Sequence, residues 1–435
     1  MKLWQKNTST VISDIQKKIE KFTIGSDKEW DLYLAQSDVI GSLAHATMLQ
    51  SIGLITLEEL NLLKEGLMDI STSIEKGQFI IEDGVEDVHS QIEILLTKNK
   101  GEVGKKIHSG RSRNDQSLLD IKLFIKQEIK VISEKTKLLF ETLIALSEKH
   151  KDVLLPGYTH MQIAMPSSFG LWFGAYAESL SDDLELLIAA YHVANKNPLG
   201  SGAGYGSSFP LDRQKTTDLL EFESMNYNVV YAQMTRGKVE KITSMALSSI
   251  AATLSKLSMD VCLYMNQNFG FITFPNELTT GSSIMPHKKN PDVFELVRAK
   301  CNRIQALPNE LTLLINNLPS GYHRDMQLTK ECLFPAIIEI KNCMDILVLM
   351  FEHCIIKTDI ITDPKYKNIF TVEVVNNLVL SGVPFRDAYK EVALQVENGT
   401  FKPETNLNHV HEGSTGNLCN ENIKALFYKK LEQIR

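Results

Sequence analysis

Long apolar runs are missing from this chain. No stretch of its 435 residues approaches the ~18 consecutive apolar positions of a membrane span, and Ile346 to Phe351 is among the longest. The opening residues, Met1 to Lys6, contain no apolar signal-peptide core, so a cytoplasmic location away from membranes is expected. An excess of basic charge is missing as well. Lys and Arg number 46 against 53 Asp and Glu, for a net charge of −7. That argues against a broad nucleic-acid surface and leaves room for a small basic pocket. The six cysteines are scattered without a Cys-x-x-Cys pair, which predicts reduced, mostly buried thiols. No Gly-x-Ser-x-Gly elbow occurs, and Gly200 to Gly206 lacks dinucleotide spacing and reads as a turn between helices. His409-Val410-His411 alternates histidines in a polar C-terminal stretch, and no metal is expected there.

Strand-like alternation is nearly absent too, and helical periodicity fills its place. Leu118, Ile125, Ile132, Leu139 and Leu146 recur every seven residues, with Ile121, Ile129 and Leu143 widening the stripe. That predicts a helix of more than about thirty residues, roughly 50 Å long, which needs a long partner. Similar patterns run from Pro166 to Asn195, Val239 to Asn268, Pro291 to Asn317 and Leu328 to Lys357. The expected fold is all-α, an elongated central bundle of five long helices with smaller helical domains at each end. Residues 1–112 are read as the N-terminal domain, 113–362 as the bundle and 363–435 as the C-terminal domain, with Gly101 to Asn114 read as the loop at the first boundary. Thr56-Leu57-Glu58-Glu59 predicts a capping box opening a helix to about Ile74, and Asp87 to Ser90 another helix start.

Polar clusters fall where long helices begin or end. They are Glu86 to Ser90, His108 to Gln116, Pro156 to Gln162, Gly281 to Asn290, and Tyr322 to Gln327 with Lys330. In an antiparallel bundle such junctions can meet, and Arg, Lys, Asn, Gln and Thr donors suit a small substrate with several carboxylates. The connection Gly270 to Asn290 is long for a compact domain, which marks a functional loop. It ends on Asn290-Pro291-Asp292, read as a capped helix start whose N–H groups favour anions. Ser282 or Ser283 with His160 admits two readings. One is a hydrolase with a serine nucleophile. The other is proton transfer, with serine as base, histidine as acid and Lys288 stabilising negative charge.

Gly281-Ser282-Ser283-Ile284-Met285-Pro286-His287-Lys288-Lys289-Asn290-Pro291-Asp292 resembles the mobile loop of the fumarase/aspartase superfamily. Ser109 to Gln116, Pro156 to Gln162, Glu86 to Ser90 and Tyr322 to Lys330 resemble its argininosuccinate lyase branch, in matching order. The resemblance implies cleavage of argininosuccinate to arginine and fumarate without a cofactor. It also implies a homotetramer with active sites shared between subunits. By the same resemblance Ser282 is the base, His160 the acid, Lys288 a charge stabiliser, and Glu295 the carboxylate that orients His160. His89, Arg113, Asn114, Thr159, Gln162, Ser283, Asn290, Tyr322, Gln327 and Lys330 match substrate-binding positions. The chain departs from the branch at Gln5 to Thr8, where Gly-Gly-Arg-Phe is usual, and at Asp27, where a substrate-contacting serine is usual. It also departs at Tyr231 to Gly237, at His287 and in a short C-terminal region.

Overall fold

The computed structural model describes residues 14–403, 405 and 407–434, so Gln5 to Thr8 lie outside the described residues. Near the N-terminus α1 (Ala35–Ser51), α2 (Leu57–Glu75) and α3 (Val88–Lys100) pack around Leu49, Leu63, Leu67, Val88 and Ile92. The capping box forms as expected: Thr56 Oγ1 accepts the Glu59 N–H, and Glu59 accepts the Thr56 N–H. The five long helices all form. They are α4 (Arg113–Lys149), α5 (Phe169–Ala194), α6 (Lys238–Met265), α7 (Asp292–Leu314) and α8 (Leu328–Glu352). Every residue of the seven-residue stripe on α4 is buried. By length and composition α6 could cross a membrane, but Leu247, Ile250, Leu254 and Leu257 are fully buried in the bundle core. Beyond the bundle, α9 (Thr371–Leu380) and α10 (Phe385–Glu397) share a small cluster around Val375 and Val392. The last helix, α11 (Asn420–Leu431), returns to the bundle, where Phe427 stacks on Phe140 at 3.8 Å.

Three junctions differ from the sequence reading. Pro156 to Gln162 is no simple loop. It belongs to a hairpin of β1 (Leu154–Thr159) and β2 (Gln162–Ser168), whose tip residues His160 and Met161 have φ of 52° and 60°. A two-residue hairpin turn wants positive φ at both central positions. The helix expected from Pro166 therefore starts at Phe169, capped by Ser168 Oγ, which accepts the Leu171 N–H at 3.1 Å. Asn290 does not cap α7. Its amide reaches back to Thr280 Oγ1 at 3.3 Å, its N–H donates to the Thr280 carbonyl at 2.9 Å, and Pro291 takes the cap position. The third is Gly101 to Asn114, read as a loop, which contains the short helical turns Glu102–Lys105 and Lys106–His108 before α4.

The bundle runs up and down, and this sorts the junctions into two groups. The starts of α4, α6 and α8 lie together, since Arg236 bonds both Ser117 Oγ at 3.1 Å and the Met326 carbonyl at 2.9 Å. The hairpin and the Gly270 to Asn290 connection lie at the opposite end, where Tyr158 packs edge-on to Phe269 at 5.5 Å. The 28 residues of α6 separate the two ends by about 40 Å.

Candidate functional site

At the first end the helix starts enclose a cleft of about 170 Å³, and six predicted substrate contacts line it: His89, Arg113, Asn114, Tyr322, Gln327 and Lys330. Its cations are matched by acids. Lys330 Nζ lies 2.8 Å from Asp27 and is also paired with Asp31. Arg113 lies 3.3 Å from Glu86 and 3.5 Å from Asp87, and Arg324 is 3.2 Å from Glu86. Burial opposes the charge on Lys330, yet Asp31 and Asp27 outweigh it and hold its pKa above the usual lysine value. Asp27 is pushed up to about 6 by burial, against the pull of Lys330. Gln327 is already engaged, donating to the Thr23 and Ile24 carbonyls at 3.1 and 3.2 Å. A cleft with interleaved guanidinium, ammonium and carboxylate groups fits a zwitterion better than a simple anion.

Asp27, one of the departures flagged in the sequence, lines this cleft, and so does Arg236 from the Tyr231 to Gly237 stretch. Arg236 is buried against Glu240 at 2.8 Å, and Glu240 also accepts the Gly237 N–H at 2.7 Å. So the Tyr231 to Gly237 stretch keeps a guanidinium at the cleft while Gln233 holds the neighbouring turn. Its amide donates to Ser201 Oγ at 3.2 Å.

Beneath the cleft lies a buried set that the sequence reading missed. Asp38 on α1, His89 on α3 and Asp120 on α4 converge, with His89 Nδ1 hydrogen-bonded to Asp38 and 3.3 Å from Asp120. The ligand-type atoms of this trio lie within 4.8 Å of one another, close enough to surround an ion. Asp38, however, is already committed, accepting from Ser42 Oγ at 3.0 Å and Gln116 Nε2 at 2.9 Å as well as from His89. The buried Arg111 guanidinium beside it adds positive charge, which disfavours a cation. The signal available in the sequence was an acid, Asp120, set directly between the apolar residues Leu119 and Ile121, all three of them buried.

The other predicted residues stand at the far end. His160 is exposed at the hairpin tip, with Thr159 and Gln162 flanking it. In the loop Ser283 and Lys288 are exposed and Ser282 is half-buried. Ser282 Oγ accepts the Met285 N–H at 3.1 Å and, more weakly, the Ile284 N–H at 3.4 Å. Glu295 is exposed in the first turn of α7, and among the described residues it makes no hydrogen bond to His160. Within one chain, then, the cleft gathers six of the predicted residues, and Ser282, Ser283, Lys288, Asn290, Glu295, Thr159, His160 and Gln162 stay about a bundle length away.

A profile of the lyase family matches residues 14–306. Argininosuccinate lyase from Parabacteroides distasonis is 59% identical over 425 residues, covering 98% of this chain and 94% of that protein. Argininosuccinate lyase from Thermotoga neapolitana is 38% identical, covering 90% of this chain and 97% of its own. Among solved structures, a fumarate lyase:delta crystallin from Brucella melitensis bound to cobalt superposes with a TM-score of 0.74 at 17% identity, covering 93% of this chain and 90% of that one. An EDDS lyase variant with bound fumarate gives 0.72 at 19% identity, covering 94% and 86%. Those two likenesses establish the fold.

Proposed function

The chain belongs to the argininosuccinate lyases, and from that premise we propose that it splits argininosuccinate reversibly into arginine and fumarate, with a serine base and a histidine acid. Ser282 Oγ, as the alkoxide, removes a proton from the methylene carbon of the succinyl group. The electron pair spreads into the neighbouring carboxylate, beside which Lys288 and Asn290 stabilise the added charge. The adjacent C–N bond then breaks, the double bond of fumarate forms, and His160 protonates the departing guanidino nitrogen. Glu295 orients His160, and the cleft side chains with Thr159, Gln162 and Ser283 hold the substrate. The reaction takes place in the cytoplasm.

The observation that carries this reading is the hydrogen bonding of Ser282. Its oxygen already accepts from Met285 N–H and Ile284 N–H, so loss of its proton strengthens two contacts in place. The separation of the two ends supports a second element of the proposal. A complete site requires hairpin, loop and cleft from different copies of the chain, as in a homotetramer of antiparallel bundles. Purified protein mixed with argininosuccinate is expected to raise the ultraviolet absorbance of fumarate's conjugated double bond, and an unchanged absorbance would refute the assignment.

A further inference from the structure

We propose that Asp38 is a positioning residue for this reaction: from beneath the cleft it fixes the His89 ring through Nδ1 and keeps it cationic, so that Nε2–H faces a substrate carboxylate. The inference rests on the reading of the chain as an argininosuccinate lyase that binds substrate in this cleft. Asp38 itself touches no ligand and acts only through His89.

Three helices bring the parts together, and all three side chains are buried at 7% exposure or less. The hydrogen bond to Asp38 occupies Nδ1, which leaves Nε2 as the ring nitrogen available to the cleft that His89 lines. Asp38 is suited to remain an anion, because Ser42, Gln116 and His89 all donate to its oxygens and its pKa lies below the usual value despite burial. Asp120 is its opposite. Neither of its oxygens receives a hydrogen bond, and burial raises its pKa well above the usual carboxylate value. Of the two carboxyls facing the ring, Asp38 is therefore the one better held as an anion.

The surrounding groups agree with that division. Burial works against a cationic His89, but Asp38 first, with Asp120 and Asp87 adding to it, outweighs burial and lifts the ring to about 9. Asp31 faces the set from the acid side of the cleft and pushes Asp120 further up. Burial first, and then the positive charges of Arg111 and Arg113, hold the neighbouring His108 down, at about 4. Arg111 donates to Ser42, which donates to Asp38, so the guanidinium and His89 flank one carboxylate.

The test is the pH dependence of KM and kcat for argininosuccinate in the unaltered enzyme and in Asp38→Asn. In the unaltered enzyme KM should stay level from neutral pH to about 9. In the variant the ring should revert toward the ordinary histidine value of 6.5, so KM rises about tenfold by pH 8, recovers near pH 6, and kcat changes less than about threefold. A folded Asp38→Asn enzyme whose KM keeps the original pH profile would overturn the proposal, as would a fall in kcat at unchanged KM. Should the variant not fold, the unaltered enzyme decides. A KM that already rises with a midpoint near 6.5 refutes a fixed cation, and a level KM through pH 8 supports it. Failure to make fumarate at any pH would instead remove the lyase reading itself.

Discussion

Lys122 occupies a place where few lysines can remain charged. Its ammonium is buried on α4 between the Lys196 carbonyl at 2.9 Å and Asn226 Oδ1 at 2.6 Å, with no carboxylate among its hydrogen-bond partners. Burial pushes its pKa down to about 7 from 10.5. Between those values the unfolded chain binds a proton that the folded one does not, so stability should rise as pH increases from 7 toward 10. Lys122→Met should flatten that rise, which urea midpoints measured at several pH values would reveal. Ser282 makes a different kind of prediction. If it is the base, Ser282→Ala should lower kcat by at least about a thousandfold, roughly 4 kcal/mol in the barrier, while substrate still binds. Calorimetric titration beside a fumarate assay separates the two effects, and a rate near that of the unaltered enzyme would place the base elsewhere.

Whole elements explain what could and could not be read from the chain. The α4 stripe was legible because one repeat persists from Leu118 to Leu146 within a helix of 37 residues, and its partners impose the same period. The hairpin was not, because β1 and β2 are short, carry Pro156 opposite Pro166, and depend on the left-handed backbone of His160 and Met161. The cap at Asn290 was misread for a related reason. Asn290 hydrogen-bonds across the neck of the loop instead, and no local pattern encodes that pairing. Loop motifs identified the candidate chemistry, whereas Asp38 and Asp120 sit on helix faces where position in the sequence says nothing about the histidine between them. One element-level test concerns α11. Phe427 is fully buried against Phe140, so Phe427→Ala should destabilise the docked helix by about 3–5 kcal/mol. Limited proteolysis should then cut the chain near residue 410 sooner than in the unaltered protein.

For the molecule as a whole, the decisive feature is that the cleft and the Ser282 loop sit at opposite ends of the same helices. If sites form between copies, two inactive variants damaged at different ends should repair each other. Lys330→Ala removes a cleft cation and Ser282→Ala removes the proposed base, yet mixed assemblies would contain some sites with neither change. Unfolding and refolding the two together should restore a fraction of the activity, whereas a site built within one chain would restore none. The approximately 40 Å between the ends has a further consequence. If sites are shared between copies as proposed, no single chain carries a working centre, and the number of centres is governed by mass action as well as by the amount of protein. Turnover per chain should fall steeply on dilution below the assembly constant and return on reconcentration.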